Sequence, residues 1–162
     1  LIDQVRFATG IVRMGDDQAG ETVVRQAARA GKPIFEAWLK PRSADKFAGR
    51  RFLAFAGIGH PDKFFATVAN AGGEIVVSRS FPDHHFYSNS ELTDLVTTAR
   101  EGGLEVITTA KDFARLRNGI APSELIDKLN VLEIDAVLEN ANATRRIVEE
   151  TQNSWRDRRL AR

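Results

Sequence analysis

Residues 51–64 read RFLAFAGIGHPDKF and contain the strongest indication of the fold class. Its first part, Arg51 to Ala56, is almost continuously apolar, which is typical of a strand buried on both faces of a parallel sheet. A turn from Gly57 to Pro61 follows, and apolar residues at helical spacing come after it. A buried strand, a glycine turn and a helix in this order predict a β-α unit.

The same alternation continues towards the carboxyl terminus. We predict three further strands, at Glu74–Ser78, Leu104–Thr109 and Val131–Val137. Four helices are predicted between and around them: one that ends at Gly72, one from a cap at Ser88 or Ser90 to Gly102, one over Lys111–Leu116, and one from a cap at Ser123 to Leu129. This order predicts an α/β fold with a mainly parallel sheet flanked by helices. Ligand contacts are then expected beyond the carboxyl ends of the strands.

A further group of elements is expected on the amino-terminal side. Val5–Val12 is predicted to be a strand, residues 20–30 a helix that ends at Gly31, and Pro33–Leu39 a half-exposed strand. A polar link over residues 41–49 then leads to the buried strand.

Composition narrows the class of protein. The 162 residues are 43% hydrophobic, enough for the core of one domain or of one domain with part of a neighbour. The absence of cysteine excludes disulfides and thiolate metal sites. With 23 basic against 22 acidic side chains, no nucleic-acid partner is expected. The first residues, LIDQ, lack an initiator methionine and a signal peptide, so we expect a piece of a longer, cytoplasmic protein.

Three motifs that can carry chemistry follow predicted strands. In the first, Gly57 and Gly59 permit close backbone approach before a helix that can bind an anion with its free amides. The alternative is a purely structural turn. The motif is neither a Walker A loop nor a full dinucleotide fingerprint.

The second motif is Asp83-His84-His85, which contains two of the three histidines. A carboxylate beside an imidazole can fix its tautomer and raise its basicity, which favours proton transfer or phosphate contact. Zinc is a weaker alternative because no third and fourth ligands lie at a recognised spacing, so no metal site is predicted. A buried histidine that only orients the loop is the structural alternative.

The third motif, residues 108–112, reads TTAKD. It places two hydroxyls, an ammonium group and a carboxylate at a strand end and helix start. The hydroxyls can equally be helix caps, with Asp112 favourable in the first turn.

Together these segments resemble a known family. Residues 55–61 (FAGIGHP), 81–87 (FPDHHFY) and 108–112 (TTAKD) are similar, in order and spacing, to the carboxyl-terminal half of the tetraacyldisaccharide 4′-kinases, the lipid A 4′-kinases. The resemblance is strongest from Arg50 to Leu116. One departure is Ala110, where the family usually has glutamate, so any role of that carboxylate is absent here.

The resemblance implies the carboxyl-terminal part of a P-loop-type kinase that transfers the γ-phosphate of ATP to the 4′-hydroxyl of tetraacyldisaccharide 1-phosphate, a lipid A precursor, giving lipid IVA. It implies ATP and Mg²⁺ as cofactors, held mainly by an N-terminal domain. It also implies a peripheral location at the cytoplasmic face of the bacterial inner membrane. Because no Gly-x-x-x-x-Gly-Lys-Ser/Thr sequence is present, residues 1–162 are expected to be inactive alone.

Residue roles also follow from the resemblance. It implies a catalytic group of Asp83, His84 and His85, and substrate- or phosphate-binding positions at Gly57, Gly59, Thr108, Thr109, Lys111 and Asp112. It implies that residues 1–40 are the end of the N-terminal domain and a hinge, and that residues 41–140 are the C-terminal α/β domain. Residues 141–162 match no motif of the family and are predicted from their composition to be a basic helical tail.

The tail can form an amphipathic helix. Trp155 lies near one face and several arginines crowd its end, a composition that can bind anionic lipid. The alternative is a solvated terminus. A different function also stays open, in which the chain is a stand-alone α/β module that binds a phosphorylated small molecule or nucleotide at the Gly57 turn.

Overall fold

The computed structural model describes residues 2–15, 18–117 and 121–160. The strands are β1 (Ile11–Met14), β2 (Ile34–Pro41), β3 (Arg51–Ala56), β4 (Glu74–Ser80), β5 (Glu105–Thr109), β6 (Asn130–Leu132) and β7 (Ile134–Leu138). The helices are α1 (Ile2–Phe7), α2 (Glu21–Arg29), α3 (Pro61–Asn70), α4 (Asn89–Glu101), α5 (Ala110–Arg117), α6 (Ser123–Lys128) and α7 (Ala143–Leu160), with short 3₁₀ turns at Gln18–Gly20 and Ala44–Phe47.

The chain forms two compact units. One contains Leu1–Lys40 and Asp135–Arg162, and the other contains Pro41–Ile134. Residues from Asp135 onwards therefore belong with the amino-terminal segment, whereas the sequence suggested a domain over 41–140 followed by a separate tail. The reason is that β7 pairs with β2 instead of with the larger sheet. That 1–40 ends an N-terminal kinase domain stays a prediction.

The larger unit is built on a parallel four-stranded sheet in the order β4-β3-β5-β6. The central strand β3 is buried on both faces, as its apolar run predicts. Leu53 and Phe55 pack under α4, α5 and α6, whereas Phe52, Ala54 and Ala56 pack under α3. This confirms the α/β class and the helix-covered parallel sheet.

The smaller unit contains a three-stranded sheet in the order β1-β2-β7. Strands β1 and β2 are parallel, with Ile11 opposite Ile34. Arg13 donates from Nε to Glu36 at 2.8 Å and from Nη1 to Glu21 at 3.1 Å, which ties β1 to β2 and α2. The helix predicted at the tail forms as α7, and Arg162 lies outside the described residues.

The strand predicted over Val5–Val12 is wrong in its first half. The chain is helical to Phe7, and the Ala8 amide donates to the Gln4 carbonyl oxygen at 3.2 Å, which extends the helical turn. Val5 is buried, and α1 contacts α2. The contact with α2 requires one apolar face on α1, which a helix provides. This tertiary contact outweighs the strand preference of the β-branched residues in the segment. The strand begins at Ile11.

The single strand predicted over Val131–Val137 is also wrong. It divides at Glu133 into β6, which pairs with β5, and β7, which pairs with β2. The Arg42 amide donates to the Glu133 carbonyl oxygen at 2.8 Å. This bond uses the backbone of Glu133 at the point where pairing with β5 ends and pairing with β2 begins.

Of the predicted helix caps, the one placed at Ser88 or Ser90 is Ser88, and the one placed at Ser123 is wrong. Ser88 is the cap of α4, and its hydroxyl accepts from the Glu91 amide. At α6 the cap is Pro122 and the helix begins at Ser123, because the extended Pro122 presents its carbonyl oxygen to the amides of Leu125 and Ile126.

Candidate functional site

The loops after β3 and β4 and the start of α5, which follows β5 directly, lie at one edge of the larger sheet. Both β4 and β5 run parallel to β3, so their carboxyl ends meet there. His84 follows β4 and Lys111 follows β5, and the prediction that they share this edge is confirmed. The edge therefore gathers all three motifs.

Asp112 is the buried centre of this edge. Its side chain has no exposed surface. The Oδ2 atom accepts from the Thr109 hydroxyl at 2.7 Å and from the Gly57 amide at 3.1 Å, and Oδ1 accepts from Arg115 Nη1 at 2.7 Å. These bonds join α5 to the end of β5 and to the loop after β3.

Gly57 is held on both sides of its peptide. Its amide donates to Asp112, and its carbonyl oxygen accepts from Arg115 Nη1 at 2.8 Å and from the His84 amide at 3.2 Å. A Cβ atom at this position would lie 2.9 Å from the Tyr87 hydroxyl and 3.2 Å from the Asp112 Oδ1 atom. Glycine is thus required by close approach.

His84 points to solvent from a constrained backbone. Its φ is 62°, in the left-handed region that few non-glycine residues adopt, and its side chain is 81% exposed. Its amide also donates to Asp83 Oδ1 at 3.0 Å, and its Nδ1 atom lies 3.2 Å from Arg115 Nη2. Local strain of this kind clusters at functional sites.

His85 is directed the other way, into the packed loop. Its ring stacks on Phe81 with centroids 4.9 Å apart, and Nε2 lies 3.0 Å from Glu91 Oε1. Glu91 forms the capping box of α4 with Ser88. Hydrogen bonds from the Ser88 amide and hydroxyl, and then from His85, lower the pKa of Glu91 to about 2. His85 therefore stabilises the loop against α4.

Tyr87 completes the packing beneath the loop. Its ring meets Phe55 edge-on with centroids 5.4 Å apart. Its hydroxyl is buried, makes no well-directed hydrogen bond to the described residues, and lies beside Asp112. Burial, and secondly the negative charge of Asp112, raise the pKa of this hydroxyl, so it stays protonated.

The remaining sequence-predicted residues divide into buried and exposed groups. Thr108 is fully buried, and its hydroxyl donates to the Phe55 carbonyl oxygen at 2.8 Å. Thr109 caps α5 by accepting from the Asp112 amide at 3.1 Å. These hydroxyls and the Asp112 carboxylate support the edge and are out of reach of a ligand, whereas Lys111 and Gly59 are exposed there.

Sequence patterns did not single out Arg115 or Glu91. Arg115 follows Asp112 by three residues on a helix, a spacing at which opposite charges meet. Ser88 and Glu91 have the spacing of a capping box. Both signals were present in the sequence, and each required the helix start to be known.

Two other features bear on ligand chemistry. Within residues 2–15, 18–117 and 121–160, no three His, Asp or Glu side chains converge in a way that could hold a metal ion.

A cavity of about 760 Å³ lies between α4 and α6, close to Arg50, Glu105 and Asn130 at the amino ends of the strands. It is lined by none of the predicted site residues. We favour the loop edge as the site because the polar network and exposed imidazole lie there.

The exposed part of the edge can contact an anion. It offers the His84 imidazole, the Lys111 ammonium group and, 22% exposed, the Arg115 side chain. Such groups suit a phosphate or a developing negative charge.

Comparison with known proteins gives one consistent family. The family model described as tetraacyldisaccharide-1-P 4′-kinase matches residues 2–152. A tetraacyldisaccharide 4′-kinase of Mesorhizobium japonicum is 58% identical over 160 residues, covering 99% of this chain and 47% of that protein. One of Brucella anthropi is 46% identical, covering 98% of this chain and 47% of that protein. The chain spans about half the length of these relatives.

A solved structure has the same fold. The crystal structure of the "apo" form of LpxK from Aquifex aeolicus in complex with ATP superposes with a TM-score of 0.53 at 18% identity. The match covers 92% of this chain and 44% of that one.

The two loop glycines are expected to differ in their tolerance of a side chain. Gly57→Ala should destabilise the protein by about 1–3 kcal/mol, because the added methyl meets Tyr87 and Asp112 in a packed region. Gly59→Ala is the matched control and should stay within about 0.5 kcal/mol, since the new Cβ meets the exposed Asp83 carboxylate at 3.4 Å. Chemical denaturation of both variants measures the difference. Equal effects would contradict the assigned packing.

Proposed function

Because the chain belongs to the tetraacyldisaccharide 1-phosphate 4′-kinase family, we propose that it forms the carboxyl-terminal part of a lipid A 4′-kinase. The complete enzyme transfers the γ-phosphate of ATP to the 4′-hydroxyl of tetraacyldisaccharide 1-phosphate and produces lipid IVA. The agreement of family, identity and coverage over nearly the whole chain supports this proposal.

One observation carries the proposed site: an exposed imidazole is held at the carboxyl edge of the sheet by a buried polar network. His84 has the backbone conformation and exposure of a presented side chain, whereas His85 is packed. Phosphoryl transfer depends mainly on positioning and charge stabilisation. A fixed imidazole can supply both, by polarising a carboxylate of another domain or by contacting a phosphate oxygen.

Lys111 has a secondary role in the proposal. Its exposed ammonium group stands at the same edge and favours the approach of a phosphorylated substrate. Thr108, Thr109 and Asp112 act through structure, since their polar atoms are already bonded. The chain therefore contributes one wall of a cleft.

ATP and Mg²⁺ do not fit this chain alone. The sequence has no Walker A lysine loop, and the described residues contain no cluster of metal ligands. We assign both to the remainder of the full-length enzyme, and residues 1–162 alone should not perform the transfer. The steps assigned here to His84 and Lys111 concern only positioning and charge.

Contact with the cytoplasmic face of the inner membrane is part of the proposal, because the acceptor is a lipid. Helix α7 supports it with Trp155, 57% exposed, whose ring lies 4.8 Å beneath Arg159, and with further exposed arginines in the last turns. None of the helices in the described ranges is long and apolar enough to cross a bilayer.

The lipid contact predicts binding to anionic vesicles that depends on the arginines of α7. In the Mesorhizobium japonicum kinase with its aligned segment replaced by residues 1–162, Arg156→Gln with Arg158→Gln should weaken sedimentation with phosphatidylglycerol vesicles, because each surface arginine contributes about 1 kcal/mol near anionic lipid. Phosphatidylcholine vesicles are the control. Unchanged binding to anionic vesicles would remove α7 from the membrane contact.

The two histidines should behave differently in that same chimeric kinase. His84→Ala should lower kcat by about 10²-fold with little change in melting temperature, because the ring is exposed and its role is to stabilise charge in the transition state. His85→Ala should lower the melting temperature, because it removes the Phe81 stack and the bond to Glu91. Steady-state kinetics and thermal unfolding distinguish the outcomes.

His60→Ala is the matched control for the histidine pair. His60 is exposed at the start of α3 and makes no capping hydrogen bond with its side chain, so its loss should leave kcat unchanged. Full activity of His84→Ala would contradict the proposed site. An equal loss of kcat in His60→Ala would show that the effect is not specific.

A further inference from the structure

Arg115 joins three separate elements with one side chain. Its Nη1 atom donates to Asp112 Oδ1 at 2.7 Å and to the Gly57 carbonyl oxygen at 2.8 Å. Its Nη2 atom lies 3.2 Å from Nδ1 of His84. The guanidinium group therefore connects α5, the loop after β3 and the loop after β4.

The contact with His84 has a defined direction. A guanidinium group has five N–H donors and no acceptor, so the Nδ1 atom of His84 must accept the hydrogen bond. In the neutral imidazole, the proton is then carried by Nε2. Nε2, which is directed away from Arg115 and lies 3.8 Å from Asp83 Oδ2, is consequently a hydrogen-bond donor.

Arg115 is well anchored for this purpose. Its carboxylate partner is fully buried and also accepts from Gly57 and Thr109, and the Arg115 side chain itself is 22% exposed. His84, in contrast, is 81% exposed. The Arg115 contact links the exposed His84 ring to the buried network and restricts its rotation.

We propose that Arg115 is a positioning residue for phosphoryl transfer, which holds His84 through Nδ1 and presents its protonated Nε2 to the reaction cleft. The expected effect of Arg115 on kcat rests on the proposed function. The orientation and tautomer of His84 can be measured without turnover. The two claims can therefore fail separately.

The first experiment measures the tautomer directly. The chimeric kinase is labelled with ¹⁵N-histidine, and the His84 ring signals are identified by their loss in His84→Gln. In the unsubstituted protein, we expect the Nε2-protonated tautomer alone, and in Arg115→Met an averaged signal from both tautomers. Protonation at Nδ1 in the unsubstituted protein, or an unchanged signal in Arg115→Met, overturns the proposal.

The second experiment separates positioning from substrate binding. Arg115→Met should lower kcat roughly 10- to 100-fold, the effect of a lost charge-assisted hydrogen bond, with KM for ATP and for the lipid acceptor unchanged. A rise in KM with unchanged kcat overturns the proposal in favour of direct substrate contact. Arg117→Met is the matched control, since Arg117 is on the same helix but lies over the Phe113 ring.

A conservative variant tests whether fold loss explains the result. Arg115→Lys keeps the positive charge beside Asp112, but an ammonium group lacks the planar fork that reaches Asp112, Gly57 and His84 together. We expect a melting temperature near that of the unsubstituted protein and a kcat still reduced. Restoration of kcat by lysine overturns the positioning role. If His84→Ala is fully active while the tautomer result holds, the proposed role of His84 fails, and the kinetic role of Arg115 fails with it, whereas the assigned tautomer stands.

Discussion

A carboxylate without exposed surface must have its charge compensated, and Asp112 obtains this compensation from the Gly57 amide, the Thr109 hydroxyl and Arg115. An uncompensated charge in such a position costs several kcal/mol. The loop after β3 and the junction between β5 and α5 are therefore held against this side chain. The loop after β4 joins them because the Gly57 carbonyl oxygen accepts from the His84 amide and Arg115 contacts the His84 ring.

The parallel sheet makes this arrangement possible, since it brings the carboxyl ends of β3, β4 and β5 to one edge. The positive φ of His84 then separates two adjacent histidines into different environments. His84 is presented to solvent, and His85 packs between Phe81 and Glu91. Neighbouring residues of the same loop thus differ in role: His85 stabilises the loop, and His84 is proposed to act in phosphoryl transfer.

Much of the larger unit could be predicted from local patterns, because the apolar run of β3 and the helix-ending glycines act over short distances. The alternation of strands and helices along the sequence also predicted that the motifs meet at one edge of the sheet, because parallel strands end at the same edge. The contact between Gly57 and Asp112 could not be predicted, since it links residues far apart in sequence, and neither could the role of Arg115, which depends on it. The assignment over Val5–Val12 failed because a tertiary helix contact overrode local β preference, and the assignment over Val131–Val137 failed because its two halves pair with different sheets.

If the Asp112 network gives His84 its effect on phosphoryl transfer, disrupting the network should remove that effect. A double-mutant cycle of Asp112→Asn and His84→Ala on kcat of the chimeric kinase measures this dependence, because the amide must oppose at least one donor that the carboxylate accepts. His84→Ala should lower kcat by about 10²-fold alone but should have little further effect in the Asp112→Asn background. Additive effects of the two substitutions would contradict the dependence of His84 on Asp112.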